Sequence, residues 1–322
     1  MAFTRTDLAM SIFMSASYLL YILVIIVIIR YRKTDCSSAF FPLFVSLGIT
    51  DLFTILHQYA FSKLVTWDTF MAEWFLTDLS GVLPRIQTMG NLYFAQAQFL
   101  GVIGITLNRL VAVRNPIQYE MIWSRKTVIL TIFLQWFLPF LFVCPLFSTG
   151  FTAVRSNFTG DVVVYYDNMI YLMIYWGFIA LFDGLFINLL LTGGYIAMLV
   201  QICRERGKRV VGNRAAQRRR LVELNLASTG ALIFFAMFVY GALTLGVLLS
   251  FNSALAELVF YGWQVWMQLF SAMNPWALLA TSQLVRAKFK LFFLCQESQV
   301  GPGPTSNSRA KNRNVRRQVS VL

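Results

Sequence analysis

Apolar residues run along this chain in seven stretches, at about 9–29, 39–61, 86–107, 127–147, 169–200, 224–249 and 258–284, with the polar residues gathered between them. A helix needs about 20 apolar residues to cross a bilayer core, so the pattern predicts an all-α membrane protein, a seven-transmembrane helix bundle. The fifth stretch is longer than a span requires. Cutting it would leave pieces of about 16 residues, too short to cross, with no charged turn between them, so it is read as one helix that overshoots the membrane. Behind the seventh stretch, VRAKFKLFFLC (285–295) mixes basic and aromatic residues in a way that predicts a short amphipathic helix along the inner leaflet. Residues 1–295 thus form one seven-span membrane domain. Residues 296–322, rich in Gly, Pro, Ser and Asn with scattered basic residues, predict a disordered tail.

Composition agrees with the bilayer as solvent: 58% of the residues are hydrophobic, 16% aromatic and only 13% charged, too apolar for an ordinary soluble surface. Charge then sets the orientation, because lysine and arginine resist translocation. Of the 27 basic residues, all but Arg5, Lys63, Arg85 and Arg155 lie behind spans one, three, five or seven. That bias predicts an amino terminus outside and a cytoplasmic carboxyl terminus. Asn157-Phe158-Thr159, a glycosylation acceptor sequence, falls in a loop this topology puts outside. The first stretch is too long for a signal-peptide core and ends in RYRK without a small-x-small cleavage site, so it stays as a span. The net charge of +13 therefore points to anionic lipid and a cytoplasmic partner rather than to nucleic acid.

Of the four cysteines, Cys36, Cys203 and Cys295 lie on or near the cytoplasmic side and only Cys144 nears the outer face, so no outer disulfide is available within one chain. Cys295, at the membrane edge, is a palmitoylation candidate. Enzyme chemistry is not visible: there is a single histidine, His57, and no cluster of metal ligands or cofactor site. Span seven carries no lysine for a retinal-type Schiff base, and no internal repeat suggests a transporter. A seven-helix bundle with few buried charges remains, the form a signalling receptor takes.

The stretch LNRLVAVRNPIQYEMIW (107–123) sets Asn108, Arg109, Pro116 and Trp123 directly behind the third apolar run, and NPWALLATSQLVRAKF (274–289) closes the seventh. Both resemble the corresponding segments of nematode serpentine chemoreceptors of the class-gamma superfamily, the Srg and Srv type of G-protein-coupled receptor. The resemblance implies a receptor that binds a small molecule in the outer half of the bundle and activates a heterotrimeric G protein from the plasma membrane, in the cilia of sensory neurons. Asn108, Arg109, Asp51, Asn274 and Pro275 then belong to activation and coupling. Asp51 matches the second-span acid of the broader receptor class, which implies a buried polar or sodium-linked site. The sequence departs from the rhodopsin-like pattern at Asn108, where that pattern has an acid, and lacks a span-six proline and a tyrosine after Asn274-Pro275.

Ligand contacts are predicted where polar and aromatic residues share a height. With Arg109 at the inner end of span three, Gln96 and Tyr93 lie about 20 to 24 Å above it, and Gln87 nearer the mouth. Tyr261, Gln264 and Gln268 share one face of span seven, and amides on such a face point inward because lipid offers them no partner. Tyr171, Tyr175 and Trp176 sit at matching height on span five. Asp183, the other intramembrane acid, could face ligand or stabilise the bundle. A receptor for an endogenous peptide or transmitter and a non-signalling transporter are the competing readings. The end, Ser320-Val321-Leu322, fits a PDZ-domain ligand.

Overall fold

The computed structural model describes residues 5–34, 36–78, 80–155, 162–207, 231, 233–246 and 253–294. Asn157, Cys295 and the tail from 296 onward lie outside the described residues, as do the side chains of Tyr261 and Gln264. The chain folds as an α-helical membrane bundle. Five of the described helices are each long and apolar enough to cross a bilayer, and a shorter apolar helix, Ile233–Gly246, occupies the sixth stretch. The first span is Arg5–Arg30 and the second Phe40–Gln58, extended by a π-helical turn at Tyr59–Lys63.

The third span, Val82–Arg114, is the pillar of the bundle: 67% of its most apolar window is buried inside the protein, against 22% for the fourth span, which starts at Arg125. Large side chains such as Phe133, Leu130 and Leu141 on the fourth span stand more than half exposed. A contiguous apolar surface of this kind is at home only in lipid. The third helix does not stop at Arg109, as the sequence pattern suggested, but runs on to Arg114. Asn108 and Arg109 are buried, so polarity there does not mark the membrane edge. What ends the helix is Pro116, which bars the preceding Asn115 (φ −130°, ψ 64°) from helical geometry.

The fifth span is continuous from Met169, yet a π-helical segment, Ala180–Ile187, interrupts the α-helix around Asp183 before Asn188–Gly207 resumes it. A π-segment loosens the regular ladder of carbonyls, and the Asn188 amide donates to the carbonyls of Asp183 (3.3 Å) and Gly184 (3.0 Å) to hold it. Against it lies Gly241 of the sixth stretch. A Cβ there would sit 1.7 Å from the Asn188 amide nitrogen, so only glycine lets the two helices approach this closely. The seventh span, Ser253–Thr281, breaks at Ser282, whose hydroxyl caps the amphipathic helix Gln283–Phe293 by accepting from the Val285 N–H (3.3 Å).

One end of the bundle carries a β-hairpin, β1 (Phe151–Arg155) paired antiparallel with β2 (Val162–Tyr166), which the periodicity of apolar runs does not reveal. Below it Gly81 begins the third span at φ 66°, with the Phe151 carbonyl 2.1 Å from where a Cβ would stand. The Asp78 carboxylate accepts from the Ser80 hydroxyl and from the Leu83 N–H (2.6 Å), and these bonds, the hydroxyl first, hold its pKa below the usual carboxylate value. A depressed pKa stabilises the folded form above the ordinary carboxylate value, and that stability is lost as pH falls through the folded value. Asp78→Ala should therefore cost about 1 kcal/mol at neutral pH, the usual net worth of a hydrogen bond. Unfolding midpoints compared at pH 7 and below the carboxylate range check it, since the two proteins should converge in acid.

Candidate functional site

The centre of the bundle is polar. Asp51 on the second span is fully buried, and its carboxylate accepts three hydrogen bonds: from the Gln98 amide on span three (2.6 Å), the Tyr21 hydroxyl on span one (2.6 Å) and the Asn274 amide on span seven (2.7 Å). Gln98 also donates to the Ser271 hydroxyl (2.7 Å). Four spans thus meet on one carboxylate. The donors also decide whether a sodium ion fits there. An ion needs oxygen acceptors around it, whereas Asp51 is met by N–H and O–H donors in direct contact. The residues present do not fit sodium, and Asp51 is the hub of a hydrogen-bond network.

Beside it, a second polar group links the third and fifth spans. The buried Gln96 amide donates to the carboxyl of buried Asp183 at 2.6 Å. Above and around this pair the aromatic side chains converge. Phe99, one turn from Gln96, lies 4.9 Å from Tyr240. Tyr240 lies 5.8 Å from Trp263, and Trp263 meets Trp176 edge-on at 6.2 Å. The Trp263 indole donates to the Thr244 hydroxyl (3.2 Å). Gln268 is buried on the seventh span.

Of the ligand residues predicted from sequence, the structure brings Gln96 and Trp176 to this interior cluster. It sends others elsewhere. The Tyr93 hydroxyl turns to the fourth span and donates to the Trp136 carbonyl (2.7 Å). Tyr171 and Tyr175 donate to the carbonyls of Pro145 and Phe142, both at 2.8 Å, and line an open groove of about 530 Å³ between the fourth and fifth spans. The physical reason is that the last carbonyls of the fourth helix lack intrahelical partners and the tyrosines supply them. Gln87 donates to the Ser62 hydroxyl (3.3 Å), and its carbonyl accepts from the His57 ring (3.1 Å), which ties span three to the end of span two.

At the opposite end from the hairpin, Arg109 is 1% exposed. Its guanidinium lies 4.2 Å from the centroid of the Phe40 ring, at the start of the second span. Asn108 turns away and donates to the Tyr119 hydroxyl (3.0 Å), in the turn that follows the helix. Pro275 lies within the seventh helix, and the neighbouring Trp276 donates to Ser17 of the first span (2.9 Å).

Sequence reasoning missed Tyr21, Gln98, Ser271, Tyr240, Trp263 and Phe40. Gln98 carried a usable signal: it lies about three helical turns from Arg109, so both share one inward face. Phe40 carried none, since one phenylalanine among many has no mark of its partner.

Apolar helices around a buried carboxylate hub, with an arginine stored at one end, define the class: a seven-transmembrane receptor of the G-protein-coupled kind. Residues 10–295 match the family described as serpentine type 7TM GPCR chemoreceptor Srv, and the chain belongs to that family. It is 30% identical over 180 residues to serpentine receptor class V-1 of Caenorhabditis elegans, a match that covers 56% of this chain and 57% of the relative. It is also 26% identical over 162 residues to melatonin receptor type 1A of Phodopus sungorus, covering 45% of this chain and 42% of that receptor, and equally to the Mus musculus receptor. The chain spans about half the length of the curated relatives it matches.

Proposed function

We propose that this protein is a chemosensory receptor of the plasma membrane, set in sensory cilia with its amino terminus outside. It takes a small molecule inside the bundle near Gln96 and Asp183 and passes the change to a heterotrimeric G protein at the Arg109 end. The observation that carries this reading is the burial of Arg109 against Phe40. Arg109 is sealed inside the resting bundle, so a cytoplasmic partner reaches it only when the helices part. Ligand at the other end needs only to favour the parted arrangement, because two discrete packings carry the bias across about 30 Å of hydrocarbon. The helix Gln283–Phe293 supports the same end as the coupling face. It presents Arg286, Lys288 and Lys290 beside Phe289 and Phe292, suited to an anionic leaflet, and Lys288 lies 4.9 Å from the Tyr31 ring centroid.

The test is ligand-driven nucleotide exchange in membranes that carry the receptor, assayed against a chemically broad small-molecule library. Arg109→Ala should bring exchange to the level of receptor-free membranes while surface expression stays at the wild-type level. Undiminished exchange in that variant would remove Arg109 from the coupling face.

A further inference from the structure

The Gln96 and Asp183 pair is incomplete. One carboxyl oxygen of Asp183 accepts from the Gln96 amide, but its other oxygen, Oδ1, and the Gln96 Oε1 are buried acceptors with no hydrogen-bond donor among the described residues. Both side chains are 1% exposed. Asn188, which braces the π-helical segment, adds a third buried acceptor of the same kind, its Oδ1. Native proteins leave few such groups unpaired, because each costs the full desolvation of the acceptor. The deficit is entirely of donors, around a carboxyl group.

The surroundings narrow what could supply them. Phe99, one helical turn along the third span from Gln96, packs with its ring centroid 4.9 Å from that of Tyr240, and the Tyr240, Trp263 and Trp176 rings continue the chain of contacts from there. A group rich in N–H donors, carrying positive charge and tolerant of aromatic faces, matches both features. We propose that this site takes the ammonium group of an organic amine, with Asp183 as its counter-ion, Gln96 as a second acceptor and the aromatic rings against its alkyl or aryl body. The inference rests on the small-molecule receptor reading and names its ligand class. The π-helical segment is where the fifth span gives way to admit the amine, since its ladder is already irregular there. The protons balance within the site: an amine that enters as the free base takes the proton of a neutral Asp183 carboxyl, so the ammonium and its carboxylate counter-ion form together.

That exchange makes Asp183→Asn informative. The asparagine amide supplies a donor to Gln96, so the resting packing keeps its hydrogen bonds, while the counter-ion is gone. Full-length protein in lipid nanodiscs is titrated with a matched pair of probes, 2-phenylethylamine and 2-phenylethanol, and thermal unfolding is followed. The amine should stabilise the protein saturably at a concentration about 30-fold lower than the alcohol, the ratio expected when a charge-assisted hydrogen bond is made in one case only. Asp183→Asn should erase the preference and leave probe-free unfolding near that of the wild type. If that variant does not accumulate, Gln96→Met removes an acceptor but keeps the carboxyl and should cut the preference about tenfold. Equal stabilisation by the two probes, a preference that survives Asp183→Asn, or no saturable stabilisation by the amine would each overturn the proposal. The receptor reading fails by a different result: the amine shift is present, yet no compound drives nucleotide exchange.

Discussion

Replacing Asp51 with alanine should lower the stability of the bundle by at least about 2 kcal/mol, a floor set by three lost hydrogen bonds at the roughly 0.6 kcal/mol each that membrane bundles show. The expected loss is larger. Tyr21 and Asn274 are both buried and each donates to the carboxylate, so the substitution strands two donors in a dry interior; Gln98 keeps its second bond to Ser271. An orphaned buried donor costs about 1 to 3 kcal/mol, which raises the expectation to about 4 kcal/mol. The measurement is equilibrium unfolding of purified protein in mixed micelles, with Tyr21→Phe and the double variant closing a cycle. Tyr21→Phe should cost less than Asp51→Ala, and the pair should couple by about 1 kcal/mol, because one bond is shared. Loss of less than 1 kcal/mol in Asp51→Ala would show that the four spans hold together by apolar packing alone. Sodium should change none of these values, since N–H and O–H donors from three other spans already engage both carboxylate oxygens.

The class of fold was legible in the sequence because lipid imposes one simple demand: every span must be apolar for about 20 residues and must satisfy its own backbone. The polar residues that break the apolar runs were legible as interior groups for the same reason, and Asp51, Gln96 and Asn274 do lie inside. Their partners were not legible. Pairing Gln96 with Asp183 depends on the relative rotation of two helices, which a hydropathy pattern leaves open. Height along a helix does not say which face a side chain takes: Tyr93 turns to a carbonyl in the middle of the fourth helix, and Tyr171 and Tyr175 to carbonyls at its end. The π-helical turn at Ala180–Ile187 shifts the register of the fifth span partway along, so faces counted from Tyr171 at 3.6 residues per turn no longer apply beyond it. Arg109 was taken for a membrane-edge residue, when it is sealed inside.

Phe40→Leu should raise ligand-free signalling. With Asn108 in the position beside Arg109, and Asn108 engaged with Tyr119, the resting restraint on the arginine includes the face of Phe40 at 4.2 Å. A desolvated cation over an aromatic face is worth about 2 kcal/mol, and leucine keeps the apolar bulk while removing the quadrupole. Two kcal/mol taken from one of two states shifts their ratio about 30-fold, so a resting receptor with about 0.1% in the parted arrangement would reach about 3%. Basal nucleotide exchange on the G protein, normalised to surface expression, reads this directly. Phe41 supplies the control: it is buried beside Phe40, with ring centroids 5.4 Å apart, and Arg109 is stacked on the other ring. Phe41→Leu removes the same volume from the same apolar cluster, so an equal rise in both variants would mean that loosened packing, not the arginine's aromatic seat, sets the basal level. Phe40→Tyr keeps the ring face and should signal at the wild-type basal rate.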